Sequence, residues 1–161
     1  MSNKWVVNAS PLILLCKIQR ISLLPALTQE LVIPRSVAAE IQMGPASDPA
    51  RDWLSEGGSS YIRSDVPAIP GITAWDLGAG ESAVLSWAQA HAGFEAILDD
   101  RAARTCALIN NILVRGTLGV VFAAKRRMLI PKAKPLCEDL VQAGMRISVD
   151  YLQKALSLIG E

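Results

Sequence analysis

Short apolar runs alternate with longer segments of helical periodicity along this chain. Four of the runs predict buried strands, at residues 5–7, 31–33, 96–98 and 112–114. A fifth run at residues 61–63 predicts a strand at the edge of the sheet. Because strands that alternate with helices are typical of parallel sheets, the pattern predicts an α/β fold with three α/β/α layers and a central parallel sheet.

The helical segments have apolar faces that point to a core. In the clearest helix, which starts after Gly78 and runs to about His91, Val84 and Trp87 share an apolar face with Glu81. A carboxylate on the core side of a helix needs a partner, since burying a lone charge is costly. We predict other helices at 12–18, 22–27, 34–41, 50–55, 101–109 and 117–127. Two closing helices at about 135–160 complete what we expect to be one domain over residues 1–161.

Composition places the chain among ordinary globular proteins. Hydrophobic residues make up 51% of the 161 residues and the formal net charge is +1, which excludes a disordered tail. The sequence has no secretory signal layout and no apolar stretch of the roughly 18 residues that a membrane span needs. The isolated Cys16, Cys106 and Cys137 predict buried free thiols. We therefore expect a cytoplasmic protein that does not bind membranes.

Acidic and amide side chains follow the predicted strands. Asn8 ends the first strand, and Asp99 and Asp100 end the strand at residues 96–98, while Glu40 and Glu81 lie on helices. The carboxyl ends of parallel strands meet at one edge of a sheet, where α/β proteins build their sites. Close carboxylates repel one another unless a cation lies between them. With no histidine or cysteine set for zinc, the cluster predicts Mg²⁺ or Mn²⁺.

Each acid taken alone also has a structural explanation. Either Asp99 or Asp100 would cap the helix that begins at Arg101, although two acids in succession exceed what a cap requires. Glu81 would favour the dipole of its own helix, but then it should point to solvent. Glu40 would be an exposed residue late in its helix. The metal-site hypothesis therefore depends on all four lying at the same edge of the sheet.

A block of one charge sign follows the acidic pair. Residues 101–134 contain eight basic residues and no acid: Arg101, Arg104, Arg115, Lys125, Arg126, Arg127, Lys132 and Lys134. A polyanion with phosphodiester links would lie along such a surface, although a solvated helix face would account for the basic residues at 125–127. Thr117 begins a helix, where phosphate oxygens bind readily. Ser10 would bind a neighbouring carboxylate or a metal-bound water, or would cap the helix after Pro11.

These residues resemble those of the PIN-domain ribonucleases, in particular a short bacterial and archaeal branch. The similar segments are VVNASPLI at 6–13, IP at 33–34 with Val37 and EI at 40–41, LGAGE at 77–81, LDDRAAR at 98–104 and GTLGV at 116–120. The resemblance covers nearly the whole chain. It implies an endonuclease that depends on Mg²⁺ or Mn²⁺ and cuts single-stranded or structured RNA. Many relatives are toxins of toxin–antitoxin pairs, commonly homodimeric and silenced by a small antitoxin protein.

The resemblance also implies roles for individual positions. Glu40 and Glu81 match the second and third acids of the family site, and Asp99 or Asp100 matches the fourth, with Asp100 directly before Arg101 as the family acid often stands. Catalysis would then depend on the carboxylates, and the metal ligands would be Asn8, Glu40, Glu81 and Asp100. RNA would contact Ser10, Arg101, Arg104, Thr117, Lys125, Arg126 and Arg127.

The chain departs from the family at Asn8, where PIN domains usually have aspartate. Asparagine can bind a cation through its carbonyl oxygen but brings no charge. Two functional hypotheses follow: a metal-dependent endoribonuclease of toxin type, or a PIN-like module with weak or no catalysis that binds nucleic acid or protein. A small-molecule enzyme is disfavoured, since the sequence has no glycine-rich dinucleotide loop. Self-association is also predicted, from Trp53, Trp75, Trp87 and the apolar helix at 151–159.

Overall fold

The computed structural model describes residues 3–161 and has a parallel sheet at its centre. The strands are β1 (Lys4–Val7), β2 (Glu30–Pro34), β3 (Ile62–Arg63), β4 (Phe94–Ile97) and β5 (Val114–Arg115). They form one five-stranded sheet in the order β3-β2-β1-β4-β5, and every neighbouring pair is parallel. The predicted α/β/α fold class and the edge strand at residues 62–63 are confirmed.

Helices cover the sheet and connect its strands. Within residues 3–161 they are α1 (Ala9–Lys17), α2 (Leu23–Leu27), α3 (Arg35–Gln42), α4 (Pro49–Ser55), α5 (Pro70–Thr73), α6 (Ala79–Ala90), α7 (Arg101–Ile109), α8 (Thr117–Arg126), α9 (Lys134–Gln142) and α10 (Val149–Leu158). A 3₁₀ turn spans Gly57–Tyr61. Helix α3 packs against α6, and α1 packs against α4.

The central strand β1 pairs with both β2 and β4. Val6 lies opposite Val32 of β2 and Ala96 of β4, and neither Val6 nor Val7 is exposed to solvent. A strand covered on both faces is apolar at consecutive positions, which explains the run Trp5–Val6–Val7. The polar residue that follows this run therefore emerges at the carboxyl end of the sheet, beside the end of β4.

Several element boundaries differ from the sequence prediction, and three of the differences have a local cause. Helix α1 begins at Ala9 rather than after Pro11, because a proline in the first turn removes an N–H that has no partner within the helix. Helix α3 begins at Arg35, and Pro34 still belongs to β2. Strand β5 is shifted to Val114–Arg115, since Asn111 adopts a left-handed conformation with φ +58° and turns the chain there.

Glu161 joins the last helices to the end of α8. Its carboxylate forms an ion pair of 2.6 Å with Lys125 and accepts hydrogen bonds from the backbone N–H groups of Ala133 and Lys134. The Lys125 ammonium also donates to the carbonyl oxygen of Ile159. These contacts lower the pKa of Glu161 to about 2, with the hydrogen bond from Lys125 as the largest cause. The closing helices are thereby fixed to the basic end of α8.

The three cysteines are buried free thiols, as predicted. Burial raises the pKa of Cys16 to about 12 and that of Cys137 to about 11, and it also raises the pKa of Cys106. Such thiols stay protonated and unreactive at neutral pH. Among residues 3–161, no helix has both the length and the apolar character needed to cross a membrane.

The tryptophans that suggested self-association pack within the chain. Trp53 stacks on Tyr61 with ring centroids 6.1 Å apart, and Trp87 stacks on His91 at 4.0 Å. Trp75 is half-buried against the core. The exposed apolar side chains lie elsewhere, among them Tyr151 and Leu158 of α10. Self-association stays a prediction, and α10 rather than the tryptophans is the surface that supports it.

Candidate active site

Parallel strands bring the predicted site residues to one edge of the sheet. Asn8 directly follows β1 and precedes α1, and Asp99 and Asp100 follow β4 by two and three residues. Glu40 lies on α3, which continues directly from β2, and Glu81 lies in the first turn of α6. The carboxyl ends of three adjacent strands therefore determine where these side chains meet.

Asn8 is buried at the centre of this edge, with 3% of its surface exposed. Its backbone N–H donates to the carbonyl oxygen of Ile97, which ties it to the end of β4. Its side-chain Nδ2 donates to Glu81 Oε1 at 3.4 Å. The other amide atom, Oδ1, is buried and accepts no hydrogen bond from any group within residues 3–161. A buried acceptor without a protein partner is rare, and a water, a cation or a donor group of a ligand would satisfy it.

Gly80 makes room for the oxygens of Asn8 and Glu40. A Cβ at this position would lie 2.5 Å from Glu40 Oε2 and 3.1 Å from Asn8 Oδ1. The two oxygens therefore approach the backbone of α6 from α3 and from the end of β1. Partial burial raises the pKa of Glu40, and the nearby charge of Glu81 raises it further. The site thus combines an unsatisfied amide oxygen with carboxylates that repel one another.

Asp99 is held from a second side of the cleft. Thr117 donates its backbone N–H to Asp99 Oδ1 at 2.8 Å and its hydroxyl to Oδ2 at 2.6 Å. The Ser10 hydroxyl donates to Oδ2 at 3.3 Å. A carboxylate has about four acceptor positions, so roughly one remains for a further donor or cation. These bonds fix the orientation of Asp99 before any ligand arrives.

Asp100 has a different task from its neighbour. Its Oδ2 accepts a hydrogen bond from the N–H of Ala103 at 2.9 Å and caps α7, and the residue is exposed. Both acids line the same cleft, but the carboxylate bound by Thr117 and Ser10 belongs to Asp99. The two acids therefore have different hydrogen-bond partners, and the metal-ligand role of Asp100 stays a prediction.

The site residues line two adjoining depressions. The first, of about 520 Å³, is lined by Asn8, Ser10, Glu81, Asp99 and Asp100, and its opposite wall is the segment between α9 and α10. The second, of about 530 Å³, is lined by Glu40 and Glu81 together with Gly78 and Gly80. Glu81 belongs to both, so all of the predicted acids lie on the same side of the molecule.

The donor set fits a hard divalent cation, although it is not a preformed cage. Within residues 3–161, no three acidic, histidine or cysteine side chains lie close enough together to hold a metal ion. Asn8 separates the carboxylates, and the Glu81 carboxylate lies back over Gly78, where an added Cβ would be 2.5 Å from Oε2. All of the donors are nevertheless oxygens, the ligand type that Mg²⁺ and Mn²⁺ prefer, and Mg²⁺ commonly keeps several waters.

Comparison with known proteins agrees with this arrangement. A family model described as a PIN domain matches residues 4–161, nearly the full chain. The chain belongs to the PIN-domain family. No curated protein and no solved structure matches it. PIN domains generally bind nucleic acids and have a nuclease-type fold.

Four of the predicted phosphate ligands of this PIN domain are not placed to meet a phosphate at the acids. One is buried, and three lie far from the acids. Thr117 is fully buried, and both its N–H and its hydroxyl bind Asp99, so it positions a carboxylate instead of meeting a phosphate. Lys125, Arg126 and Arg127 lie at the opposite end of α8, roughly 12–15 Å along the helix from Thr117. They line neither of the two depressions.

Other predicted and unpredicted basic residues lie near the acids of the PIN domain. Arg101 and Arg104 border Asp99 from α7, as expected. Lys17 and Arg146 line the cleft that contains Asn8 and Glu81, although the sequence did not indicate them. Arg146 is an isolated basic residue far along the chain from the acids, and only the fold of the link between α9 and α10 brings it there. No pattern in the sequence could have identified it.

Proposed function

We propose that this PIN domain is a metal-dependent endoribonuclease that hydrolyses RNA phosphodiesters with Mg²⁺ or Mn²⁺. Glu40, Glu81 and Asp99 would be its functional carboxylates and Asn8 a neutral oxygen ligand. The observation that carries the proposal is the buried Asn8 Oδ1, which lacks a hydrogen-bond donor within residues 3–161 and lies beside the space that Glu40 enters under Gly80. A cation is the ligand that satisfies this oxygen and relieves the repulsion between the carboxylates.

The residues of the site divide the chemical tasks among them. A bound divalent cation supplies charge stabilisation at a phosphodiester and activation of water. Asp99, oriented by Thr117 and Ser10, presents an oxygen whose position is already fixed. Partial burial and the nearby charge of Glu81 raise the pKa of Glu40, and a bound cation would offset the repulsion between the two carboxylates. Asp100 would take no part in the reaction and would stabilise the start of α7 as its N-cap.

The proposal extends to a toxin role in the cytoplasm. The resemblance to toxins of toxin–antitoxin pairs supports it, and buried reduced thiols suit a reducing compartment. A small antitoxin protein would then cover the cleft, and a homodimer would form through other exposed apolar residues of α10, such as Leu158. Growth arrest on expression, relieved by the product of a neighbouring gene, is the expected result. Normal growth at high expression would contradict the toxin role.

Cleavage of an end-labelled, unstructured RNA tests the enzymatic proposal. We expect cleavage with Mn²⁺ or Mg²⁺, none with EDTA, and none by Glu81→Gln. Asp139→Asn serves as the matched control, because Asp139 is an exposed carboxylate on α9 that lines neither depression. Cleavage by Glu81→Gln at the wild-type rate would overturn the proposal.

A second candidate function has its own supporting observation. The Asn8 amide donates to Glu81, so the site holds together without a cation, and no three acids converge within residues 3–161. A PIN-like module that binds nucleic acid or protein but has no nuclease activity would have such a site, which is stable without a cation. RNA that binds in EDTA and stays intact with every divalent metal would favour this alternative.

A further inference from the structure

A second cleft continues from the carboxylate site along the basic side of the domain. Its volume is about 720 Å³, and it lies between α7, the start of α8 and the segment that leads into α10. Asp99, Met145 and Arg146 line both this cleft and the one that contains Asn8 and Glu81. The two clefts therefore form one continuous channel that passes Asp99.

The charges along this channel leave three arginines for an anion. Arg115 is neutralised by Glu95, whose Oε1 lies 2.9 Å from its Nε, and it also lies over the ring of Trp5. Arg101, Arg104 and Arg146 form no ion pair with any group in residues 3–161. An anion that entered the channel would meet these three guanidinium groups before it reached Asp99.

Gly116 lets Arg104 lie beside Asp99. A Cβ at position 116 would be 2.6 Å from Arg104 Nη1 and 3.1 Å from Asp99 Oδ1. The guanidinium and the carboxylate therefore both approach the same backbone position at the start of α8. A phosphate held by Arg104 would place a neighbouring phosphodiester next to the acidic site.

An exposed aromatic ring stands at the wall of the channel. Tyr151 lines it with 61% of its surface exposed, and Ile147 and Leu108 line the same cleft. Ser148 caps α10 by accepting a hydrogen bond from the Tyr151 N–H at 3.1 Å, which fixes the backbone of this residue. Aromatic rings beside a basic groove are the stacking platforms of proteins that bind single strands.

We propose that Arg104, Arg146 and Tyr151 form a track for a single-stranded polynucleotide that leads to the carboxylate cleft. The two arginines bind successive phosphates, and Tyr151 stacks on a base that a duplex would keep inside its helix. The inference rests on the proposed nuclease function and adds the part of the chain that recognises the substrate, since neither Arg146 nor Tyr151 was among the predicted RNA contacts. The closing segment at residues 145–151 is then part of the substrate site.

Binding measured in EDTA tests the track without requiring catalysis. The probe is a fluorescent, unstructured RNA of roughly ten nucleotides, with DNA of the same sequence and the RNA duplex in parallel. We expect single-stranded RNA and DNA to bind and the duplex to bind at least several-fold more weakly. Tyr151→Ala should weaken single-strand binding by roughly tenfold, whereas Tyr151→Phe keeps the ring and should bind as the wild type does.

Arg146→Ala tests the phosphate contact by a readout that a purely structural role would not change. The slope of log affinity against log salt should fall by about 0.7 if one phosphate contact is lost. Arg20→Ala is the matched control, since Arg20 is also an exposed arginine but lines neither of the two clefts. Its affinity and its salt slope should equal those of the wild type.

Three results would overturn the track. They are wild-type affinity for Tyr151→Ala, preference for the duplex, or a loss in Arg20→Ala as large as that in Arg146→Ala. A Tyr151→Ala variant that turns a dimer into a monomer in light scattering would assign the ring to an interface between copies and would also count against the track. RNA that binds through Tyr151 in EDTA but is never cut with metal would leave the track standing and refute only the nuclease function.

Discussion

The side-chain amide of Asn8 donates a hydrogen bond to Glu81, 73 positions further along the chain, with a distance of 3.4 Å between Nδ2 and Oε1. An aspartate at position 8 would place a second negative charge there, and the two carboxylates would repel each other in a partly desolvated cleft. Asparagine replaces that repulsion with an attraction. The hydrogen bond therefore stabilises this arrangement of Asn8 and Glu81, but residue 8 contributes no negative charge to the binding of a cation.

Exchange of this amide for a carboxylate should strengthen the metal site. Asn8→Asp should tighten Mn²⁺ binding by roughly tenfold or more, since an added charge beside a divalent ion contributes on the order of 1 kcal/mol or more. Cleavage of single-stranded RNA should rise in parallel, and the thermal midpoint should fall in EDTA and recover with Mn²⁺. Calorimetric titration and thermal scans measure these changes.

The control for this prediction is Glu81→Gln in the Asn8→Asp background. It should abolish the gain in metal affinity and in cleavage, because the two residues share one site. An Asn8→Asp protein that matches its parent in both properties would show that residue 8 does not contribute to a cation site.

Gly80→Ala should disrupt the site without unfolding the domain. The new methyl group would lie 2.5 Å from Glu40 Oε2, the end of a flexible side chain that can move away. Alanine also stabilises a helix by up to about 1 kcal/mol relative to glycine, so global stability should hold or increase. Metal binding and RNA cleavage should fall because Glu40 and Asn8 no longer share this space.

Gly57→Ala is a suitable comparison for Gly80→Ala, since nothing lies within 4 Å of a Cβ at that position. It should leave metal binding and cleavage unchanged. If Gly80→Ala keeps full metal binding and cleavage beside this control, Glu40 does not contribute to the site.

Thr117→Val should reduce both stability and function. It keeps the shape of a fully buried side chain but removes the hydroxyl that donates to Asp99 at 2.6 Å. A hydrogen bond to a charged acceptor contributes about 2 kcal/mol, so urea unfolding should show a loss of that order. Ser10→Ala, whose bond to Asp99 is 3.3 Å, should lose less. Equal losses in the two variants, or none, would contradict this account of how Asp99 is held.

Acid should weaken the attachment of the closing helices through Glu161. The folded-state pKa is about 2, below the ordinary value of 4.5, so the carboxylate contributes stability above pH 4.5 and loses it as the pH falls toward 2. In Glu161→Gln that part of the pH dependence should be absent, which thermal melts across this range would show. Parallel pH profiles for the wild type and the variant would contradict the prediction.

Local patterns in the sequence predict much of this fold. Consecutive apolar residues such as Val6 and Val7 indicate a strand buried on both faces, and the end of a parallel strand then fixes where the next polar residue emerges. That logic located Asn8 and the acidic pair at residues 99–100 on one edge, whereas the expectation for Glu81 came from its place at the start of a helix. The pattern at 112–114 failed to give β5 its observed bounds because Asn111 reverses the chain, and a left-handed asparagine leaves little trace in hydrophobic periodicity.

Contacts between segments that are distant along the chain could not be predicted from the sequence. Asp99 and Asp100 are chemically identical neighbours, and only the position of Thr117 distinguishes the bound acid from the helix cap. Lys125 resembles a free phosphate ligand until its ion pair with Glu161 is seen. The closing segment that carries Arg146 reaches the acids only through the tertiary fold.

We propose that the oxygens around Asn8, Glu40, Glu81 and Asp99 form a divalent-cation site, and titration with Mn²⁺ tests this claim most directly. Calorimetry on the wild type, Glu81→Gln and Asp139→Asn, without RNA, separates this cleft from other acidic surface. We predict saturable Mn²⁺ binding by the wild type and by Asp139→Asn, and at least a tenfold loss of affinity in Glu81→Gln, since that variant removes one charge beside the ion. Equal Mn²⁺ affinity in all three proteins would contradict the claim.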